Sequence, residues 1–405
     1  MKNVVVVGGG AAGMMAAYAA AKNGNNVTLC ERNEKLGKKI YITGKGRCNF
    51  TNDCDEADFL ENVFENMSFM YSSIYTFSPS SMMELMENAG LEIKTERGGR
   101  VFPASYKASD VTKTLSKLLE KNGVNILYDS FVENVLTENG AACGVALKNG
   151  KKLPADSVIL CCGGKSYPTT GSDGNGYRLA AKLGHKIIAP LPALVGMNAR
   201  DKSLGKLAGL SLKNVEVSLW ENGRKKASEF GEMLFTHSGV SGPCILTLSC
   251  KADFSKQNVI SIDLKPALDE KKLDGRILRD FEEQKNREFK NSLTKLLPSS
   301  LCEFVVQKSG IPPEKKVNQI GKDERKALVK AIKSFEVGVE SSGSFSEAII
   351  TKGGVDPKEV NSSSMESRLV SGLYFAGELL AVHGYTGGYN LQIAFSTGYL
   401  AGLNV

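Results

Sequence analysis

The chain has 405 residues, 42% of them hydrophobic, which is enough for two or three domains with ordinary globular cores. Its formal net charge of +7 arises from basic residues spread along the chain, favouring anionic ligands over a nucleic-acid groove. Nine cysteines occur without a C-x-x-C pair, which excludes a disulfide framework and points to reduced thiols in a cytoplasmic protein.

Val4 to Val7 predicts a short buried strand, Gly8-Gly-Gly-Ala-Ala-Gly13 a tight turn, and the alanine-rich run after it a helix ending near Asn23-Gly24. Gly8, Gly10 and Gly13 fit G-x-G-x-x-G, in which the glycines permit the turn, the approach of a pyrophosphate and helix–strand packing. The helix N-terminus then meets phosphates with free N–H groups and partial positive charge. A second strand, Asn26 to Cys30, ends in Glu31, eighteen residues after Gly13, where a carboxylate suits ribose hydroxyls. The uncharged stretch 4–21 also resembles a cleaved leader ending at Ala19-Ala20-Ala21. Three successive glycines weaken an apolar helix by about 1 kcal/mol each relative to alanine, so the nucleotide-binding reading is preferred.

Gly37 to Asn52 is a loop dense in glycine and cations, with Gly44 and Gly46 flanking Lys45 and Arg47 beside them, suited to wrapping an anion. Residues 56–90 are expected to be mainly helical, 91–102 a hairpin around Gly98-Gly99, and Ser109-Asp110 the cap of a helix reaching Asn122. Strands follow at 124–128, 130–136, 144–147 and 152–153, with Asn-Gly turns at Asn139 and Asn149. Asp156 to Cys162 reads as a buried strand rejoining the first sheet. From Pro190 the character changes: short strands across 191–264, then Lys, Glu and Leu at helical spacing across 267–334, an inserted module. The nucleotide domain closes with the strand Leu373–Ala376, the acid of Gly377-Glu378, and Gly387-Gly-Tyr-Asn390 leading into a last helix. A second strand–acid–helix unit of this kind serves the flavin end of FAD and has no purpose in a nicotinamide-only enzyme.

These motifs, with Cys162-Gly-Gly-Lys-Ser-Tyr-Pro168, Phe235-Thr-His-Ser-Gly-Val-Ser-Gly-Pro243 and Thr351-Lys-Gly-Gly-Val355, resemble the BaiN-like, aminoacetone-oxidase-type FAD flavoproteins across essentially the whole chain. The resemblance implies an α/β fold: a glutathione-reductase-like FAD-binding Rossmann domain with an inserted β-barrel-like plus helical domain. The expected boundaries are 1–189 for the first part of the FAD domain, 190–345 for the insert (β-rich 190–264 and 335–345, helical 265–334) and 346–405 for the C-terminal part. By motif position, Gly8, Gly10, Ala11, Gly13, Glu31 and Arg32 would hold the adenosine-diphosphate half. Lys38, Arg47, Cys48, Asn49, Gly377, Glu378, Asn390, Leu391 and Gln392 would line the flavin half, and Val132 and Gly163 are further cofactor-binding candidates. Relatives carry an acid in Gly-Glu-x-x-Asp where this chain has Ala381, which argues against a carboxylate base there.

Flavin chemistry needs few protein acids or bases. His383 and Tyr385, close to the flavin-facing segment, and His237, in the insert motif, are the candidates; His185 is expected at a helix end as a capping or surface residue. No spacing suggests a metal site or a redox cysteine pair. Three functions follow: an NADH- or NADPH-dependent reductase of a conjugated double bond in a small molecule, preferred because the insert could cap an apolar pocket; an oxidase of an aminoacetone-like amine using oxygen; and a flavin-containing RNA-modification or binding protein. The last ranks lowest because no basic stripe interleaved with aromatics is visible. No segment beyond the N-terminal stretch is long and apolar enough for a membrane.

Overall fold

The computed structural model describes all 405 residues and divides into two compact units, Met1–Ala193 with Phe345–Val405, and Leu194–Ser344. The first is built on a five-stranded parallel sheet, in the order Leu373–Phe375, Ser157–Leu160, Asn3–Val7, Asn26–Cys30, Asn125–Leu127. Val6 pairs with Ile159 on one side and Leu29 on the other, so the glycine-rich turn, Cys161 and Glu31 all leave the same edge of the sheet. The central valines are buried on both faces, as a parallel sheet between helical layers requires.

Two helices, Ala11–Lys22 and Tyr389–Leu403, pack closely because their contact residues are small. A Cβ on Gly398 would fall 2.2 Å from Ala12 O, and one on Gly402 2.3 Å from Ala16 O. Glycine four residues apart therefore fixes how the last helix meets the first. An antiparallel sheet, Val132–Glu138, Ala141–Leu147 and Lys152–Pro154, turns at Asn139 (φ +50) and Gly140 (φ +78), the geometry that selects Asn-Gly. Another carries Thr51–Asn52, Arg100–Pro103 and Ile93–Glu96.

The second unit is a closed six-stranded barrel, in the order Met197–Ala199, Gly239–Ser241, Arg224–Phe235, Ser211–Glu221, Asn258–Asp263, Phe335–Ser342. The helices Glu270–Glu282, Ser299–Ser309 and Lys322–Lys333 share its apolar core. Two local expectations are corrected. Pro243–Lys251 is a helix inside the stretch read as strands, started by Gly242 at φ +95 and Pro243 in the first turn. The helix expected from a Ser109-Asp110 cap begins at Ala108, with both residues inside its first turn. No helix is long and apolar enough to cross a membrane.

Candidate functional site

The glycine-rich turn separates glycines the fold needs from one it does not. Gly8 (φ +104) would place a Cβ 2.5 Å from Cys161 O, and Gly13 one 1.7 Å from Gly8 O. Both are demanded by packing. Gly10 has ordinary extended backbone (φ −81, ψ −168), and a Cβ there would meet nothing within 4 Å. A side chain is withheld at the helix N-terminus, beside Ala11, although the protein leaves room for one. Open space at a helix N-terminus suits the pyrophosphate of a dinucleotide.

Glu31 is buried; its Oε2 accepts the Gly9 N–H at 2.7 Å, and Oε1 accepts Asn33 N at 2.8 Å and Asn33 Nδ2 at 2.6 Å. It shapes the turn while keeping further lone pairs for a ligand. Arg32 reaches Asp173 (2.6 Å) and stacks on Phe131, drawing the 168–174 loop over this end. Val132 is buried and its carbonyl accepts Asn175 Nδ2; Gly163 (φ +70) would clash with Ser172 Oγ at 2.9 Å if it carried a Cβ.

At the other end, Lys39 donates to Glu378 Oε2 and to Ser166 Oγ, each at 2.6 Å. Glu378 Oε1 accepts Ser166 Oγ at 3.0 Å and Thr351 N at 2.8 Å. Burial works to raise the Glu378 carboxyl, but the Lys39 ammonium and these hydrogen bonds outweigh it and hold the group below the usual carboxylate range. Thr351 Oγ1 accepts the N–H groups of Lys165 and Ser166, and Gly164 has no room for a side chain against it (2.5 Å). Three separated motifs therefore converge on one carboxylate. Lys38 points elsewhere, to Glu34 (3.1 Å) and Asn33. Lys39, Ser166 and Thr351 are not candidates by sequence alone; their one signal there is that each lies in a glycine-containing motif of the chain.

In the cation-rich loop, Cys48 is fully buried with φ +59, and burial pushes its thiol up to about 12. Asn49 Oδ1 is buried without a hydrogen-bond partner, an acceptor that FAD, with its N–H and hydroxyl groups, can satisfy. Arg47 lies over Phe102 (4.6 Å) and Tyr106 (5.6 Å). Asn390 holds the preceding loop, accepting Gly384 N and donating to the carbonyls of Gly384 and Tyr385. Gln392 is wholly buried, bonded to Thr51, Phe77 and Ser396, while Leu391 packs in the first turn of the helix and Gly377 (φ +74) donates its N–H to Thr397 Oγ1. Cys161 and Cys162 are unpaired and burial raises both thiols, Cys162 to about 12, so neither is an activated nucleophile.

His383 is buried, and its Nε2 accepts the Gly353 N–H at 2.9 Å, which assigns the neutral ring with its proton on Nδ1. Burial lowers its pKa to about 4. Tyr385 is partly exposed beside Phe64, ring centroids 5.1 Å apart. His237 is exposed in a turn between barrel strands of the second unit. His185 departs from the expected capping or surface role: its side chain is buried, between Ser367 Oγ (2.9 Å) and Glu359, edge-on to Phe375.

Comparison with known proteins shows the family. The family described as HI0933-like protein Rossmann domain matches residues 2–404. The 3-dehydro-bile acid delta(4,6)-reductase of Clostridium scindens is 32% identical over 95% of this chain and 94% of its own length. The ribosomal RNA dihydrouridine synthase of Haemophilus influenzae is also 32% identical, over the same shares of the two chains. In fold, the chain is similar to the 3-ketosteroid-delta4-(5alpha)-dehydrogenase of Rhodococcus jostii RHA1, with a TM-score of 0.53, 16% identity and coverage of 100% of this chain and 96% of that one. The withheld side chain at Gly10, the unpartnered Asn49 carbonyl and the full-length match lead to one conclusion: the chain belongs to the HI0933-like, BaiN-like family and is an FAD-dependent oxidoreductase.

Proposed function

We propose that this protein reduces a carbon–carbon double bond conjugated to a carbonyl, with NADH or NADPH as the source of electrons. The observation that carries this reading is that two equally similar relatives are named for different substrates but one kind of bond. A delta(4,6) double bond of a 3-oxo steroid and the C5–C6 double bond of uridine are both conjugated to a carbonyl. Bound FAD supplies hydride at N5. The chain's part is to orient the acceptor and give one proton to the carbon beside the carbonyl. Tyr385 is the proton donor in this reading, since it is partly exposed and held by Phe64. Amine oxidation calls instead for a base, and the Nε2 lone pair of His383 is already taken by Gly353 N–H.

The substrate has two readings. A small enone is the first. Uridine within RNA is the second, favoured by the cations and aromatics around Arg47 and by the name of the Haemophilus relative. The test is anaerobic reduction of the flavin by NADH or NADPH, then addition of a 3-oxo-4,6-diene steroid or an unmodified ribosomal RNA transcript. Reoxidation with a reduced steroid, or dihydrouridine in the digested RNA, supports the reaction and selects the substrate. Bleaching by aminoacetone without pyridine nucleotide, with no transfer to either acceptor, overturns it.

A further inference from the structure

We propose that the face carrying Arg47, Lys94 and Arg100 is the surface on which single-stranded RNA docks; this deepens the second substrate reading and rests on it. The hairpin Ile93–Glu96 and Arg100–Pro103 sets Lys94 opposite Phe102 and Glu96 opposite Arg100. Alternation along both strands puts these four residues on one side, with Val101 buried on the other. Phe102 is itself buried beneath the Arg47 guanidinium at 4.6 Å, with Tyr106 tilted against it at 5.9 Å. Arg47 and Lys94 each lie 5.6 Å from the Tyr106 ring.

Glu96 organises this layer. Its Oε1 accepts Tyr106 Oη at 3.0 Å and faces Arg47 Nη1 at 3.5 Å, while Oε2 faces Arg100 Nη2 at 3.3 Å. One carboxylate therefore fixes two guanidiniums and leaves three cations against one anion. The Arg100 Nε–H is taken by Arg97 O at 3.1 Å, but the Arg47 and Arg100 side chains remain 42% and 43% exposed, so both guanidiniums stay open to solvent.

Preset guanidiniums at an excess of positive charge match phosphodiester oxygens. The partly exposed Tyr106 ring, beside Arg47 and Lys94, also offers an unpaired base a stacking surface. An acidic peptide would use the charge but leave the partly exposed Tyr106 ring without a stacking partner. Arg47 belongs to the loop that contains Asn49, so this face is continuous in sequence with the FAD site.

The experiment measures anisotropy of a short fluorescein-labelled single-stranded RNA on the FAD-loaded protein across a salt titration. The wild type should bind with log K falling linearly in log salt. Lys94→Gln with Arg100→Gln should weaken binding about tenfold at low salt and reduce the slope by about 1.4, at about 0.7 per lost phosphate contact. Arg100→Lys should keep the slope. Lys121→Gln with Lys148→Gln, removing equal charge from exposed positions elsewhere, should change little. An unaltered flavin spectrum confirms that each variant is folded. Equal RNA binding by wild type and the Lys94/Arg100 variant would overturn this surface and leave the RNA reading standing. Heparin binding as tightly as RNA with the same slope would reduce the face to general polyanion attraction and overturn the assignment. RNA binding lost in the variant, but without dihydrouridine formed by the wild type, would support the surface and sink the substrate reading.

Discussion

Lys39 Nζ lies 2.6 Å from Glu378 Oε2, joining the first cation-rich loop to the segment before the last helix. Both side chains are only about a fifth exposed, 23% and 19%, so the pair keeps much of its strength against solvent screening.

Lys39→Met removes the counter-charge while Ser166 and Thr351 still donate to Glu378 Oε1. Unfolding free energy at pH 7, measured in urea, should fall by about 2 kcal/mol, below the full cost of breaking a dry buried pair. Because the folded carboxyl is held below its ordinary range, its contribution is present above about pH 4.3 and is lost as pH falls through the folded value. The deficit of Lys39→Met should therefore shrink on acidification. Adding Glu378→Gln should recover about 1 kcal/mol; strictly additive losses would show that the two groups are not coupled.

Gly10→Ala and Gly13→Ala should separate binding from folding. Neither space nor backbone opposes a methyl at Gly10, so thermal unfolding of the FAD-free protein should be unchanged or slightly raised. FAD affinity, followed by flavin fluorescence, should fall at least about tenfold as the helix N-terminus loses its close approach. At Gly13 the methyl meets Gly8 O, and the FAD-free protein itself should lose about 1–3 kcal/mol. A Gly10→Ala protein that binds FAD normally would remove this turn from the cofactor site.

The parts legible in sequence were those whose chemistry repeats locally. The strand–turn–helix from Val4 to Lys22 and the acid at Glu31 follow from a continuous apolar run and fixed glycine offsets. Lys39 was not legible, because a nonrepeating turn after Gly37 (φ +65) decides which of two adjacent lysines faces Glu378. The cation–aromatic face was invisible for a different reason. Arg47, Lys94, Arg100 and Tyr106 form no stripe along the chain, and only the pairing of Lys94 with Phe102 gathers them. His185 read as a surface residue from its place after a helix, yet Ser367 and Glu359, far along the chain, create a buried niche for its ring.

His383 should leave a mark on acid stability. Its folded pKa of about 4 lies below the ordinary 6.5, so the unfolded chain binds more protons between these values. The associated stability is complete above pH 6.5 and is lost as pH falls toward 4, on the order of 3 kcal/mol in all. Glu65 Oε2, buried without a hydrogen bond and 4.0 Å from Nε2, is the group a protonated ring would face once the Gly353 N–H bond broke. His383→Gln, able to accept the same N–H, should flatten the urea-measured stability between pH 4 and 6.5 relative to the wild type. An identical slope in the variant would mean that other groups dominate this window.

Tyr385→Phe tests the proton donor separately from the redox step. The ring keeps its packing on Phe64, and the backbone N–H still reaches Asn62 O at 3.0 Å, so the loop should be undisturbed. Flavin bleaching by NADH or NADPH in anaerobic stopped flow should therefore proceed at the wild-type rate. Reoxidation by a conjugated acceptor should slow by about 100-fold or more, the usual scale for losing a positioned acid. The solvent deuterium isotope effect on that step should grow as proton delivery from water becomes limiting. If both half-reactions slow together, Tyr385 orders the site without supplying the proton. If neither changes, the proton comes from another group and the assignment of Tyr385 fails.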